Sequence, residues 1–424
     1  MMDQTVLDRT DMDPKAAYDA RVQRMRDVIA LKEPDHVPVY LSWRFWQARH
    51  HGMTCEEAMY DADGLSAATK AQILEFEPDC YQLPHNQVVL GAPLETLGIK
   101  ALKWPGHGVP NDVSYQYLDM EFMPASEYDE YLSDPTGFTL RKYLPRIADA
   151  LEPLDVLPDF PAFYHTRVLN LARSFADPGV IKALQALAKA GEQMAEIGGK
   201  ARGFAAEMAA LGYPLFNVAG ASAPFDQVAD YMRGSKGAML DMFRHKDKLL
   251  AAMEQAKKYI IASAVAAKGD KEDAHVFMPL HWGLDGFMSE EQFKTFYWPQ
   301  LKDVMMALIE ADMTPYIFWE GNCNSRLEII GDMPAGKCIY KFESTDMKLA
   351  KDVLGDTICI QGNIPASLLI TGTPDDMDAY CKDLFEGCKP GGGFILDGAC
   401  GIPDESKYEC VVAMVEACRK YGQY

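Results

Sequence analysis

At 424 residues, 48% of them hydrophobic, the chain can bury a large core, and its length alone would accommodate several domains. Its 62 acidic against 41 basic side chains leave a formal net charge of −21. That charge argues against nucleic acid, an anionic membrane surface or a substrate bearing many carboxylates. No apolar run approaches the roughly 20 residues that cross a bilayer. The start, MMDQTVLDRTDMDPK, lacks the basic and apolar segments of a signal peptide. Ten cysteines without a CxxC pair read as reduced thiols, so the expected location is the cytoplasm.

Residues 1–15 read as a loose N-terminal arm, followed by a helix over 16–31 with Val22, Met25, Val28, Ile29 and Leu31 on a helical period. HVPVYL (36–41) reads as a first strand, 55–76 as the helix returning from it, and CYQLP (80–84) as a second strand ending at His85-Asn86. Between about 88 and 211 the rhythm changes to a hairpin-like stretch (104–123) and helices over 126–151 and 177–210. No flexible linker brackets this region, which marks an insertion rather than a separate domain.

After it, strands are expected at 214–219, 275–281, 315–319, 337–342, 357–361 and 393–396. Helices are expected between and after them at 225–267, 289–311, 324–330, 346–354, 374–388 and 404–421. Short, uniformly apolar strands alternating with helices imply a parallel sheet covered by helices. Eight such units predict an α/β fold, a single (β/α)8 TIM barrel domain over 16–424 with a largely helical insertion after the second strand. An open doubly wound sheet is the alternative, but the glycine fingerprint expected after its first strand is absent. Gly391-Gly392-Gly393 precedes its strand, so it reads as the end of a helix rather than a phosphate loop.

In such a fold, function gathers at the carboxyl ends of the strands. The polar residues there are His85 with Asn86, Asn217, His281, Glu320, Glu343, Gln361 with Asn363, and Asp397 with Cys400. Glu320 heads the list: a carboxylate where the buried run Tyr316–Trp319 meets a loop needs a cation, a donor or water. The plainer reading makes it a turn cap, as His281 can be a satisfied core histidine and Cys400 a small buried hydrophobe. Taken together, carboxylates, an imidazole and a thiol are donors suited to zinc. Cys323 is a further candidate ligand or nucleophile.

Four stretches carry a resemblance. PLHWGLDGFMSEEQFKTFYWPQLKDVM (279–305), FWEGNCNSRLEII (318–330), AKDVLGDTICIQGNIPASLLITGTPDD (350–376) and GGGFILDGACGIPDESKYECVVAMVEACRKYG (391–422) resemble the uroporphyrinogen decarboxylase superfamily. The resemblance implies a (β/α)8 barrel and one of two activities, decarboxylation or zinc-dependent methyl transfer with a corrinoid carried by a separate protein. Decarboxylases of the family bear an arginine-rich motif after the first strand. Here the matching YLSWRFWQARHHG (40–52) keeps Arg44 and Arg49 without the motif.

The methyltransferase branch carries a His-x-Cys at the fifth strand and a Cys after the eighth. Cys400 in GACGIP matches the latter, while Phe318 and Glu320 stand where His and Cys would be. Glu343 is placed like a Glu of the related cobalamin-independent methionine synthases. The implied zinc ligands are therefore Glu320, Glu343, Cys400 and His281, with Glu320 and His281 also catalytic. Substrate contacts are expected from His85, Asn217, Trp282, Tyr316, Trp319, Gln361, Asn363 and Asp397. The expected partners are a corrinoid-binding protein and a small methyl donor or acceptor, such as a methoxylated aromatic, another methyl ether, a thioether or an amine. No nucleic acid or membrane is expected, and a homodimer is allowed. The alternatives are a metal-free decarboxylase of a pyrrole-like carboxylate and a non-catalytic corrinoid-protein-binding subunit.

Overall fold

The structure, a computed structural model, describes residues 12–159 and 165–424. Of the expected N-terminal arm, residues 1–11 lie outside the described residues. The first helix, Pro14–Ile29, starts two residues earlier than expected because the Asp13 carboxylate accepts the Ala16 N–H and Pro14 supplies a preset φ at the first helical position. It buries Met25, Val28 and Ile29 against Tyr40, Cys80, Phe216 and Tyr316, closing the amino end of the sheet. The buried Arg24 on the same helix pairs with Asp35 and Asp79.

Six parallel strands form one continuous sheet in chain order: Asn217–Gly220, His275–Leu280, Thr314–Trp319, Ile339–Phe342, Cys359–Gln361 and Phe394–Ile395. The expected strands at 36–41 and 80–84 form no ladder and join by isolated parallel bridges, Val39 to Leu396, Tyr40 to Cys80 and Tyr81 to Leu215. Proline explains the difference. Pro38 interrupts the first segment without an N–H to donate, and Pro84 opens the short helix Pro84–Gln87 where the second was expected to run on.

Strand side chains alternate between two environments. Ile317, Trp319, Tyr340 and Phe342 pack outward into the large core shared with Leu301, Val304 and Leu308 of the helix Trp298–Glu310. Tyr316, Ile339, Cys359 and Ile395 belong to the opposite, inner face.

The 88–211 region holds a small sheet (Leu102–Pro105, Gly108–Val109, Gln116–Tyr117), a series of short helical turns and the 33-residue helix Pro178–Ala210. The helix expected over 126–151 is broken where Asp134 caps a new turn by accepting the Gly137 N–H and Pro135 follows it. The helix expected over 55–76 divides likewise at Asp61, which caps the second half. Gly391, Gly392 and Gly393 all hold left-handed φ (78°, 74°, 66°) after the helix Pro374–Cys388, a turn that side chains would strain. Among the described residues no helix is long and apolar enough to cross a membrane.

Candidate active site

Because side chains alternate, each strand aims every second residue into the inner face, and these stack in layers toward the carboxyl rim. The middle layer is ionic. Lys341 Nζ lies 2.5 Å from Asp397 Oδ2, with the lysine 4% and the aspartate 0% exposed. Gln361 Nε2 donates to the same Asp397 oxygen and to the Tyr316 hydroxyl, each at 2.9 Å. The Lys341 ammonium also sits 5.2 Å from the centre of the Phe318 ring. Burial raises the pKa of Asp397, and the Lys341 charge and hydrogen bond oppose the rise.

Above it, the rim carries two acidic pairs. The Cys400 thiol donates to Glu343 Oε1 at 3.0 Å, and Glu343 Oε2 accepts the Gly321 N–H at 2.5 Å. Asn363 Nδ2 fixes this corner by donating to the Glu343 and Thr345 carbonyls at 3.2 and 2.9 Å. Burial, reinforced by Glu343, pushes the Cys400 thiol up to about 12, so it keeps its proton here. In the second pair His281 Nε2 lies 3.7 Å from Glu320 Oε1. Burial raises the pKa of Glu320, the His281 charge opposes the rise, and the nearby Glu343 adds to it.

His281 is held from behind. Its Nδ1 is 2.6 Å from Asp230 Oδ2, and its backbone N–H donates to Asp226 Oδ2 at 2.9 Å. Trp282 Nε1 donates to the other Asp230 oxygen at 2.6 Å, and the Tyr297 hydroxyl donates to Asp226 at 2.8 Å. Burial favours the neutral imidazole. The Asp230 hydrogen bond and the Asp226, Asp230 and Glu320 charges outweigh it and raise His281 to about 9. Asp226, wholly enclosed, is itself pushed up to about 7 by burial, against the pull of His281.

Arg44 completes the rim. Its φ of 49° is unusual for a residue with a side chain, and the turn is held by Gln87 Oε1, which accepts the backbone N–H groups of Trp43 and Arg44 at 2.6 and 3.1 Å. The exposed guanidinium lies close enough to Glu320 and Cys400 for its charge to lower both their pKa values.

Beside this rim a cavity of about 860 Å³ opens between the insertion and the sheet, lined by Phe138, Tyr143, Tyr231, Phe277 and Pro279 among others. Tyr231 follows Asp230 directly, and Pro279 lies two positions before His281, which does not itself line the cavity.

Several residues expected at the site lie elsewhere. Trp319 faces outward, with its ring centroid 5.6 Å from Tyr340 and 6.4 Å from Phe293, and its indole N–H has no hydrogen-bond partner among the described residues. This corrects the expectation that it touches substrate, and strand alternation is the reason: with Glu320 inward, its neighbour must point out. Tyr316 faces inward but is sealed in the lowest layer against Phe216 and Tyr40. His85 sits in the Pro84–Gln87 helix with Lys200 and Asp63 as its charged neighbours, away from the rim acids. Asn217 opens its strand opposite His275 rather than closing it, because the ladder begins three residues later than expected. Gln361 and Asp397 lie beneath the rim, and Trp282 and Asn363 lie at it.

The donor set suits zinc in kind. As it stands it forms two pairs, and among the described residues the one trio with all donor atoms within 4.8 Å of one another is His50, His51 and Glu75, elsewhere on the surface. Sequence reasoning passed over Asp226, Asp230, Lys341 and a role for Arg44. The i, i+4 spacing of the two aspartates just after a strand end was the available signal.

The profile of the family described as "Uroporphyrinogen decarboxylase (URO-D)" matches residues 171–421. A uroporphyrinogen decarboxylase of Chlorobium luteolum is 28% identical over 99 residues, covering 23% of this chain and 28% of that protein. One of Coxiella burnetii is 24% identical over 131 residues, covering 31% and 36%. The matched stretch thus spans about a third of these curated relatives' length. A solved structure described as a methyltransferase from Methanosarcina mazei superposes with a TM-score of 0.61 at 17% identity, covering 95% of this chain and 98% of the other, a likeness of fold. With more than half its residues inside the matching profile, the chain belongs to the uroporphyrinogen decarboxylase (URO-D) family.

Proposed function

We propose that the chain is a methyltransferase that moves a methyl group between a small donor and a corrinoid carried by a partner protein. The observation that carries this reading is the rim itself. A thiol, two carboxylates and a histidine held as an imidazolium share one rim as two pairs, near an aromatic-lined cavity within the size range of small-ligand pockets. We read the three isolated bridges as closing the six-strand sheet into the eight-stranded barrel expected from the sequence.

Glu320, Glu343 and Cys400 would hold zinc. Burial, with Glu343 adding to it, raises the pKa values of Glu320 and Cys400 despite the opposing Arg44 charge, and a metal bound there would release those protons. When bound, zinc would supply Lewis acidity to the heteroatom that loses its methyl. His281, kept protonated by Asp230, donates a proton to that heteroatom as the carbon–heteroatom bond breaks and the heteroatom keeps the electron pair. Tyr143, Tyr231 and Phe277 suit a methoxylated aromatic in the cavity, and Arg44 suits a single carboxylate on its ring. One exposed guanidinium is a poor match for a porphyrinogen with many carboxylates.

The test combines metal analysis of the purified protein with turnover of methoxylated aromatics in the presence of reduced cobalamin. Cys400→Ser should cut both zinc content and methyl transfer sharply while leaving the thermal transition of the metal-free protein nearly unmoved. Full zinc and full turnover in that variant would sink the reading. Carbon dioxide release from a pyrrole carboxylate with no corrinoid required would instead favour a decarboxylase, the second reading that the family match supports.

A further inference from the structure

Away from the rim, three donors meet on the surface beside the segment that joins the sheet through isolated bridges. We infer that His50, His51 and Glu75 form a second, independent binding site for a divalent transition metal of the zinc type. The donor atoms of the three all lie within 4.8 Å of one another, with both histidines exposed and the glutamate half-buried. His50 ends the helix Trp46–His50 and His51 is its cap, so the end of one helix turns both imidazoles to one side, their centroids 5.0 Å apart at 70°. His50 Nε2 is 3.5 Å from Glu75 Oε2. Two histidines and a glutamate are a trio that zinc accepts with a fourth position left open.

The trio is held in place before any metal arrives. The His50 ring lies between Trp46 (4.9 Å, 3° between planes) and Tyr408 (5.0 Å, 8°), which fixes the plane of its imidazole. The Tyr408 hydroxyl donates to Glu75 Oε1 at 2.7 Å and leaves Oε2 toward His50. Trp46 is anchored in turn by donating its indole N–H to the Ser406 carbonyl at 2.9 Å. Partners of this kind orient metal ligands and set their basicity. Gln72, fully buried one turn before Glu75, lies within side-chain reach of His51.

An ordinary surface ion pair between His50 and Glu75 would explain neither the second histidine nor the aromatic sandwich, and such a pair contributes little. A metal here would join the Trp46–His50 helix to the helix Ala62–Phe76, with the helix Tyr408–Tyr421 supporting both. It would brace the part of the sheet that lacks ladder hydrogen bonds and would take no part in the rim chemistry.

The test titrates Co²⁺ into the full-length chain carrying Cys400→Ser, so that the rim thiol contributes nothing. One bound Co²⁺ is expected, with ligand-field absorption, no thiolate charge-transfer band and a raised thermal transition. His50→Ala and Glu75→Gln should each abolish that binding, and Tyr408→Phe should weaken it about tenfold. Glu75→Gln can still accept the Tyr408 hydrogen bond, so a loss there reports on the metal even if His50→Ala folds poorly. Absence of bound Co²⁺ in the Cys400→Ser chain, or unchanged affinity in His50→Ala and Glu75→Gln, overturns the site. Neither result bears on the thiolate-dependent metal proposed at the rim.

Discussion

Lys341→Met should destabilise the fold by about 3–5 kcal/mol, seen as a lower urea midpoint with an unchanged slope. The loss comes from the charge left behind. Asp397 has no exposed surface, and its charge is offset by Lys341 at 2.5 Å and by Gln361 at 2.9 Å. Burial already raises its pKa, with Lys341 as the leading opposition. Without the lysine, Asp397 must take a proton or remain as a buried charge. The folded-state pKa then rises further above the unfolded value, so the loss is smallest at acid pH and grows as pH rises through the folded pKa. The double change Lys341→Met with Asp397→Leu should recover most of the loss, because Gln361 keeps the Tyr316 hydroxyl as a partner and no buried charge remains. Should Lys341→Met unfold at the midpoint of the unaltered protein, the pair does not hold the middle layer.

The final third of the chain was legible because its physics is local and repetitive. Apolar runs between helical periods place the strands near 277, 317, 340, 360 and 395 to within a residue or two, and the acids beyond them follow by position. The amino-terminal strands were not legible, since Pro38 and Pro84 remove ladder donors that an apolar pattern does not register. Trp319 could have been assigned correctly from alternation alone: Glu320 and Trp319 cannot both face the rim. Lys341 was open to the same reasoning, two positions before Glu343 on one face. Asp226 and Asp230 showed in the sequence only as an i, i+4 pair, with nothing to say what they hold. They sit on the helical segment after the strand Asn217–Gly220, and only the tertiary fold brings them behind His281, more than fifty residues away in sequence.

His281→Gln should lower methyl transfer by about 10²–10⁴-fold, the usual contribution of a general acid, while leaving zinc content near that of the unaltered protein. Retained zinc separates His281 from Cys400, whose loss should remove both zinc and turnover. Asp230→Asn probes the same proton from behind. In the metal-free protein the His281 imidazole should titrate near 9, lifted from its ordinary 6.5 chiefly by the Asp230 hydrogen bond against the opposing effect of burial. With Asn at 230 the hydrogen bond to a charge is gone, and the midpoint should fall toward 6.5 as followed by the imidazole proton resonances. The sign for stability follows from the raised folded value. The His281–Asp230 contribution is fully present below pH 6.5 and is lost as pH rises through about 9, so Asp230→Asn should cost most stability in acid and little in alkali. Because Trp282 also donates to Asp230, the variant disturbs the wall of the rim as well. A change confined to KM would then mark Asp230 as shaping the pocket, whereas a fall in kcat accompanied by the shifted titration marks it as the group that keeps the acid charged.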